Sequence, residues 1–159
     1  MANIITFLTF KDRADEAAKF YCSIFPGARI KSTVPYPEIS IAPRPGAVMI
    51  VELELFGQTY VLLNGGPHFQ FTDGVSLVVQ CDSQAEIDHY WSALTAGGGE
   101  PGPCGWLKDR FGVSWQVNPK NIAELIGKDD PARAKRVMEA VMKMGKLDLA
   151  TMERAAAGR

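Results

Sequence analysis

Apolar and polar positions along this chain change period in the same order twice. Residues 4–10 are rich in β-branched and aromatic side chains, which predicts a strand. Ala14, Ala17, Ala18, Tyr21 and Ile24 then fall on one helical stripe. Asp12 is the expected N-cap of that helix, with Asp15 and Glu16 near its positive end, and Pro26-Gly27 stops it. Residues 29–34 predict a second strand, and 48–55 with 58–63 predict a hairpin turning at Phe56-Gly57. The order then repeats. Residues 75–81 predict a strand, and Ser83-Gln84-Ala85-Glu86 is a capping box. Ile87, Tyr90, Trp91 and Leu94 follow at i, i+3, i+4 and i+7, Gly97-Gly98-Gly99 ends the helix, and a closing hairpin over 106–110 and 113–117 turns at Phe111-Gly112.

The recurrence has a fixed offset. Thr6 and Ser76, Asp12 and Asp82, Tyr21 and Trp91, Ile24 and Leu94, and Gly27 and Gly97 are each 70 residues apart. Phe56-Gly57 and Phe111-Gly112 are 55 apart, because the first copy has a longer central loop. That loop, residues 35–46, holds four prolines and is a candidate lid over a site. Asn64-Gly65-Gly66-Pro67 opens the linker to the second copy. Beyond Pro119 the pattern is helical over 121–126, again after the Asp130-Pro131 cap with Val137, Met138, Val141 and Met144 as its stripe, and over 149–157. The expected architecture is α+β: a paired-module domain over 1–119, with module one at 1–66 and module two at 73–119, and a helical C-terminal extension over 120–159.

Bulk properties remove several function classes. A length of 159 residues suffices for a sizeable core without staples. The net charge of -1 offers no footprint for nucleic acid or an anionic membrane. Cys22, Cys81 and Cys104 form no C-x-x-C pair, which argues against a zinc knuckle and fits a reducing compartment. With no signal-like start and no apolar run long enough to span a bilayer, the expectation is a cytoplasmic protein.

Two strand-helix-strands units in tandem resemble the vicinal oxygen chelate superfamily of glyoxalases, extradiol dioxygenases and bleomycin-resistance proteins. Phe20-Tyr21 and Asp109-Arg110-Phe111-Gly112 match its landmarks. Asn64-Gly65-Gly66-Pro67-His68-Phe69, Cys81-Asp82-Ser83-Gln84 and the long run from Cys104-Gly105-Trp106 to Asn118-Pro119 resemble its PhnB-like branch, often labelled demethylubiquinone methyltransferase-like. The resemblance implies two pseudo-symmetric βαβββ modules curled into a cup around a small-molecule site, in a homodimer. It maps the superfamily's metal-holding places onto Thr6, Val61, Ser76 and Gln116. A divalent metal prefers imidazole or carboxylate, which these residues do not supply, so no metal and no cofactor are expected.

Candidate ligand-binding residues are Thr6, Asn64, His68, Phe69, Ser76, Cys104, Trp106 and Gln116. Trp106 and Phe69 are the expected pocket walls. His68, on the linker, could do acid-base work or simply hold its turn. Cys104 lacks a neighbouring His to activate it, so it reads as a small buried hydrophobe or as a nucleophile. His89 sits on the polar side of its helix, and Asp109 and Arg110 read as turn formers. Gly97-Gly98-Gly99-Glu100-Pro101-Gly102 spells G-x-G-x-x-G but follows a helix, the wrong context for a dinucleotide loop. Three readings stay open: a metal-free small-molecule binder, an enzyme acting on a small aromatic or quinone-like substrate, and a structural dimer with a vestigial site.

Overall fold

The computed structural model describes residues 2–38, 46–127 and 129–159. The chain divides into two compact units, residues 1–71 and 72–159. The first unit runs β1 (Thr6–Phe10), α1 (Ala14–Ile24), β2 (Arg29–Pro35), β3 (Val48–Leu55) and β4 (Gln58–Asn64). Its sheet has the order β1-β4-β3-β2. β1 and β4 are parallel, and the other pairs are antiparallel. The expected lid falls largely on residues 39–45, which lie outside the described residues.

The second unit runs β5 (Leu77–Cys81), α2 (Gln84–Thr95), β6 (Glu100–Pro101), β7 (Trp106–Lys108) and β8 (Ser114–Pro119). Its sheet order, β5-β8-β7-β6, copies the first, with β5 and β8 parallel. The two copies are therefore one βαβββ unit written twice, and the chain has an α+β glyoxalase-type fold. The short strand β6 was hidden in sequence, because glycine and proline surround its two residues.

Each sheet buries one face under its own helix. In the first unit Leu8, Phe10, Val51, Leu53, Leu55 and Leu62 are buried, as are Ala14, Ala17, Ala18, Tyr21 and Ile24 of α1. In the second, Val79, Cys81, Leu107, Trp115 and Val117 are buried with Ile87, Tyr90 and Leu94 of α2. Fully burying one such large side chain stabilises by about 1.5–3 kcal/mol, so these stripes fix which face of each sheet stays open. Gly99 allows the close approach of α2 to its sheet. A Cβ there would stand 2.7 Å from the Thr95 Cα and 2.9 Å from the Lys108 carbonyl oxygen.

The hairpin β3–β4 turns through Phe56 and Gly57, whose φ angles of 47° and 78° are both left-handed. That matches the twist-compatible two-residue turn expected of the pair. The capping box of α2 forms with one change. Ser83 Oγ accepts from the Glu86 N–H at 3.2 Å, but the Glu86 carboxylate accepts from Asp82 N–H at 2.6 Å rather than from Ser83. Asp12 does not cap α1: the N-cap is Arg13, whose side chain makes no capping bond. The cap comes instead from Asn64 at the end of β4, whose Oδ1 accepts from the Ala14 N–H at 2.7 Å.

The tail forms α3 (Ile122–Ile126), α4 (Pro131–Val141) and α5 (Leu149–Ala156). Asp130 and Asp148 cap α4 and α5. Leu125, Val137, Val141, Leu147 and Met152 make a separate small core. Gln84 ties this tail to α2, donating to the Leu147 carbonyl at 3.1 Å and accepting from the Leu149 N–H at 2.8 Å. The tail thus packs within the second unit. Among the described residues no helix is long and apolar enough to cross a membrane.

Candidate functional site

Strand alternation builds the open face of the second sheet. Leu107, Trp115 and Val117 point to α2, so Trp106, Lys108, Ser114, Gln116 and Asn118 point the other way. Register then sets the neighbours. Val78 and Trp106 flank Gln116, and Lys108 stands across from Ser114. Gln116 Nε2 donates to Ser76 Oγ at 2.9 Å, and Asn118 Nδ2 donates to Gln116 Oε1 at 3.1 Å. Val78, on the edge strand β5, is 49% exposed and adds apolar surface to this face.

Beside Trp106 lies a hollow of about 430 Å³, lined by Asp73, Glu100, Pro101, Gly102, Pro103, Trp106, Leu107, Lys108 and Ser114. Its size and its apolar walls with a few polar groups suit a small molecule. Lys108 Nζ pairs with Asp73 Oδ1 at 3.1 Å.

A buried carboxylate holds this edge in shape. Asp109 is 3% exposed. Its Oδ1 accepts from the Phe111 and Val113 N–H groups at 2.9 and 3.1 Å, and its Oδ2 accepts from Trp115 Nε1–H at 2.9 Å. The Asp-Arg-Phe-Gly-Val-Ser-Trp run is therefore a turn locked by one side chain, as its turn position suggested.

The residues singled out in sequence separate into two groups. Ser76, Gln116 and Trp106 share the open face of the second sheet. Thr6, Asn64, His68 and Phe69 belong to the first unit. Thr6 is on the strand side of Leu8 and Phe10, the helix-facing side. The residue that pairs with Val61, as Val78 pairs with Gln116, is Phe7. The 70-residue offset holds for the helices, but the first strands match at 71, Phe10 with Cys81, because the turn before α1 is one residue longer. One residue of slip reverses the face, so Thr6 is not the counterpart of Ser76.

Asn64 has no free polar atom to offer. Besides the cap, its Nδ2 donates to the Val48 carbonyl at 2.9 Å, and its own carbonyl accepts from the Tyr36 hydroxyl. His68 is exposed and makes no hydrogen bond among the described residues. Phe69 lies against Gly65, where an added Cβ would stand 2.8 Å from its ring. Cys104 adopts a left-handed φ of 57° and packs on the tail core. Its N–H donates to the Met144 carbonyl at 2.8 Å, so it docks the tail rather than lining the hollow. His89 is exposed on α2.

Sequence reasoning passed over Ser114, Lys108, Glu100 and Asp73. The available signal for Ser114 was its spacing of two from Gln116, which puts both on one face.

The metal positions implied by the fold family carry little donor chemistry. Ser76 and Gln116 offer a hydroxyl and an amide already bonded to each other, and Phe7 and Val61 offer no donor. Among the described residues no group of three His, Cys, Asp or Glu comes together. The residues present do not fit a divalent ion.

Comparison with known proteins gives a consistent placement. The family model described as 3-demethylubiquinone-9 3-methyltransferase matches residues 2–118. A PhnB protein from Bacillus cereus, provisionally assigned to the same methyltransferase activity, is 32% identical with a TM-score of 0.61, over 73% of this chain and 98% of that one. Protein PA1353 from Pseudomonas aeruginosa is 23% identical with a TM-score of 0.61, over 76% and 98%. The fosfomycin resistance protein FosX from Listeria monocytogenes is 16% identical with a TM-score of 0.54, over 78% and 97%, a likeness of fold. No curated protein sequence matches.

Proposed function

The chain belongs to the PhnB-like, 3-demethylubiquinone-9 3-methyltransferase-type family, and on that premise we propose that it binds a small molecule on the open face of its second sheet without a protein-held metal. The observation that carries this reading is the hollow of about 430 Å³ beside Trp106. Trp106 gives a ligand a flat apolar wall, and Gln116, tied to Ser76 and Asn118, gives the same face a fixed polar edge. The protein acts as a cytoplasmic homodimer in this reading.

A thermal-shift screen of metabolites, antibiotics and divalent metals tests it. A ligand at 100 times its dissociation constant adds about 2.7 kcal/mol. For a chain of this size that is a rise of about 5–10 °C. Trp106→Ala should abolish the rise for a true ligand. A screen without any shift would favour a structural dimer with a vestigial site.

The family description favours one second reading, methyl transfer to a small aromatic or quinone-like substrate. Against it, Gly97, Gly98 and Gly99 close α2 and lead into β6, the reverse of a strand–glycine loop–helix. Calorimetry with adenosylmethionine decides: binding supports transfer, and no heat at millimolar ligand removes it.

A further inference from the structure

Ser114 is buried yet makes no use of its hydroxyl. It is 3% exposed, it lines the hollow, and its side chain has no hydrogen bond among the described residues. Its oxygen is reached by water from the hollow, and a ligand atom can take that water's place. Across the strand pair stands Lys108, which also lines the hollow. Resting on the binding function proposed above, we infer that Ser114 and Lys108 receive an acidic oxygen of the ligand, and that the ligand is a flat apolar molecule carrying one carboxylate or a comparable oxyanion.

Three charged residues line the hollow, and their exposure distinguishes them. Asp73 is 69% exposed and Glu100 is exposed at the rim, where water screens a charge. Lys108 is 42% exposed and is paired across the sheet with the buried Ser114. Lys108 is therefore the least exposed of the three charges and the one that stands beside the buried Ser114, although the count of charges is negative. Asp73 holds Lys108 at 3.1 Å, but an exposed pair of this kind is weak. An arriving oxyanion displaces the Asp73 carboxylate from Lys108, accepts a second hydrogen bond from Ser114, and lays its apolar body on Trp106 between Pro101 and Pro103.

The sign of one substitution tests this. Binding of 1-naphthoate, 1-naphthalenemethanol and 1-naphthylmethylamine is measured by calorimetry on the full chain and on three variants. With the oxyanion at Lys108, Asp73→Asn removes its competitor and tightens 1-naphthoate about threefold. Ser114→Ala, which deletes one oxygen and leaves the backbone pairing intact, weakens it about five- to tenfold. Lys108→Met weakens it at least as much, and the neutral alcohol binds wild type about tenfold less tightly than the acid. Melting temperatures of the variants confirm that they fold. If the amine binds best and Asp73→Asn weakens it, the charge assignment is overturned while the hollow stands as a binding site. If none of the three probes binds and the wider ligand screen is also silent, the inference and the binding function fall together.

Discussion

Replacing Asp109 by Asn tests the lock on the β7–β8 turn with a change of one atom. The carboxylate is 3% exposed and accepts three hydrogen bonds, from the Phe111 N–H, the Val113 N–H and Trp115 Nε1–H. Asparagine keeps one oxygen, enough for the two backbone donors on Oδ1. Its amide nitrogen then faces the Trp115 Nε1–H across the 2.9 Å now spanned by a bond, donor against donor. A hydrogen bond to a charged group contributes about 1.5–3 kcal/mol, and the indole N–H is left buried without an acceptor. The expected cost is about 2–3 kcal/mol, seen as a fall of about 5–10 °C in melting temperature for a chain of this length. Urea unfolding followed by tryptophan fluorescence gives the free energy. Trp115→Phe removes the donor, so in that background Asp109→Asn should recover about 1.5 kcal/mol or more of its cost. Strict additivity of the two substitutions, or a single-variant cost under about 0.5 kcal/mol, would refute the account of Asp109 as the acceptor that pins Trp115.

Asn64→Ala should cost about 1–3 kcal/mol in urea unfolding by exposing the Ala14 N–H, and Asn64→Asp, which keeps that acceptor, should recover part of it. Burial, reinforced by Glu86 and Asp82, pushes the Cys81 thiol up to about 11, so a thiol reagent at pH 8 should spare Cys81 in the native protein and label it in denaturant. Native labelling of Cys81 at the rate of a free thiol would contradict its buried place beside α2. Lys146 and Gln84 hold the Asp88 carboxyl below its usual range, so its contribution is present above the ordinary carboxylate pKa and is lost as pH falls through the depressed value. Protection of tail amides from hydrogen exchange should therefore drop on acidification below about pH 4, and Asp88→Asn should flatten that dependence at low salt; equal pH profiles for the two proteins would exclude Asp88 as the cause.

Much of the fold was legible because it is written in local periodicity. The strand that begins each unit, the stripe Ile87, Tyr90 and Leu94, the Asp130-Pro131 cap and the turn at Phe56-Gly57 each depend on neighbours a few residues away. The 70-residue recurrence carried the duplication by itself. Trp106, Ser76 and Gln116 were candidates from sequence, and their common face followed only from the sheet's alternation and register.

Tertiary structure decided what depends on pairing across distance. A strand has period two, so one extra residue in the turn before α1 was enough to send Thr6 to the helix side and leave Phe7 opposite Val61. The cap of α1 comes from Asn64, 50 positions away, which turned an expected ligand group into a structural one. Cys104 was drawn to the tail core by backbone bonds from its own N–H and that of Gly105 to Met144 and Gly145. Asp73, Glu100, Lys108 and Ser114 meet at one hollow only because β6, β7 and β8 lie side by side. Sequence fixes spacing along the chain, whereas a binding surface is set by which strands are hydrogen-bonded and in what register, and that is settled only when each sheet buries its apolar face.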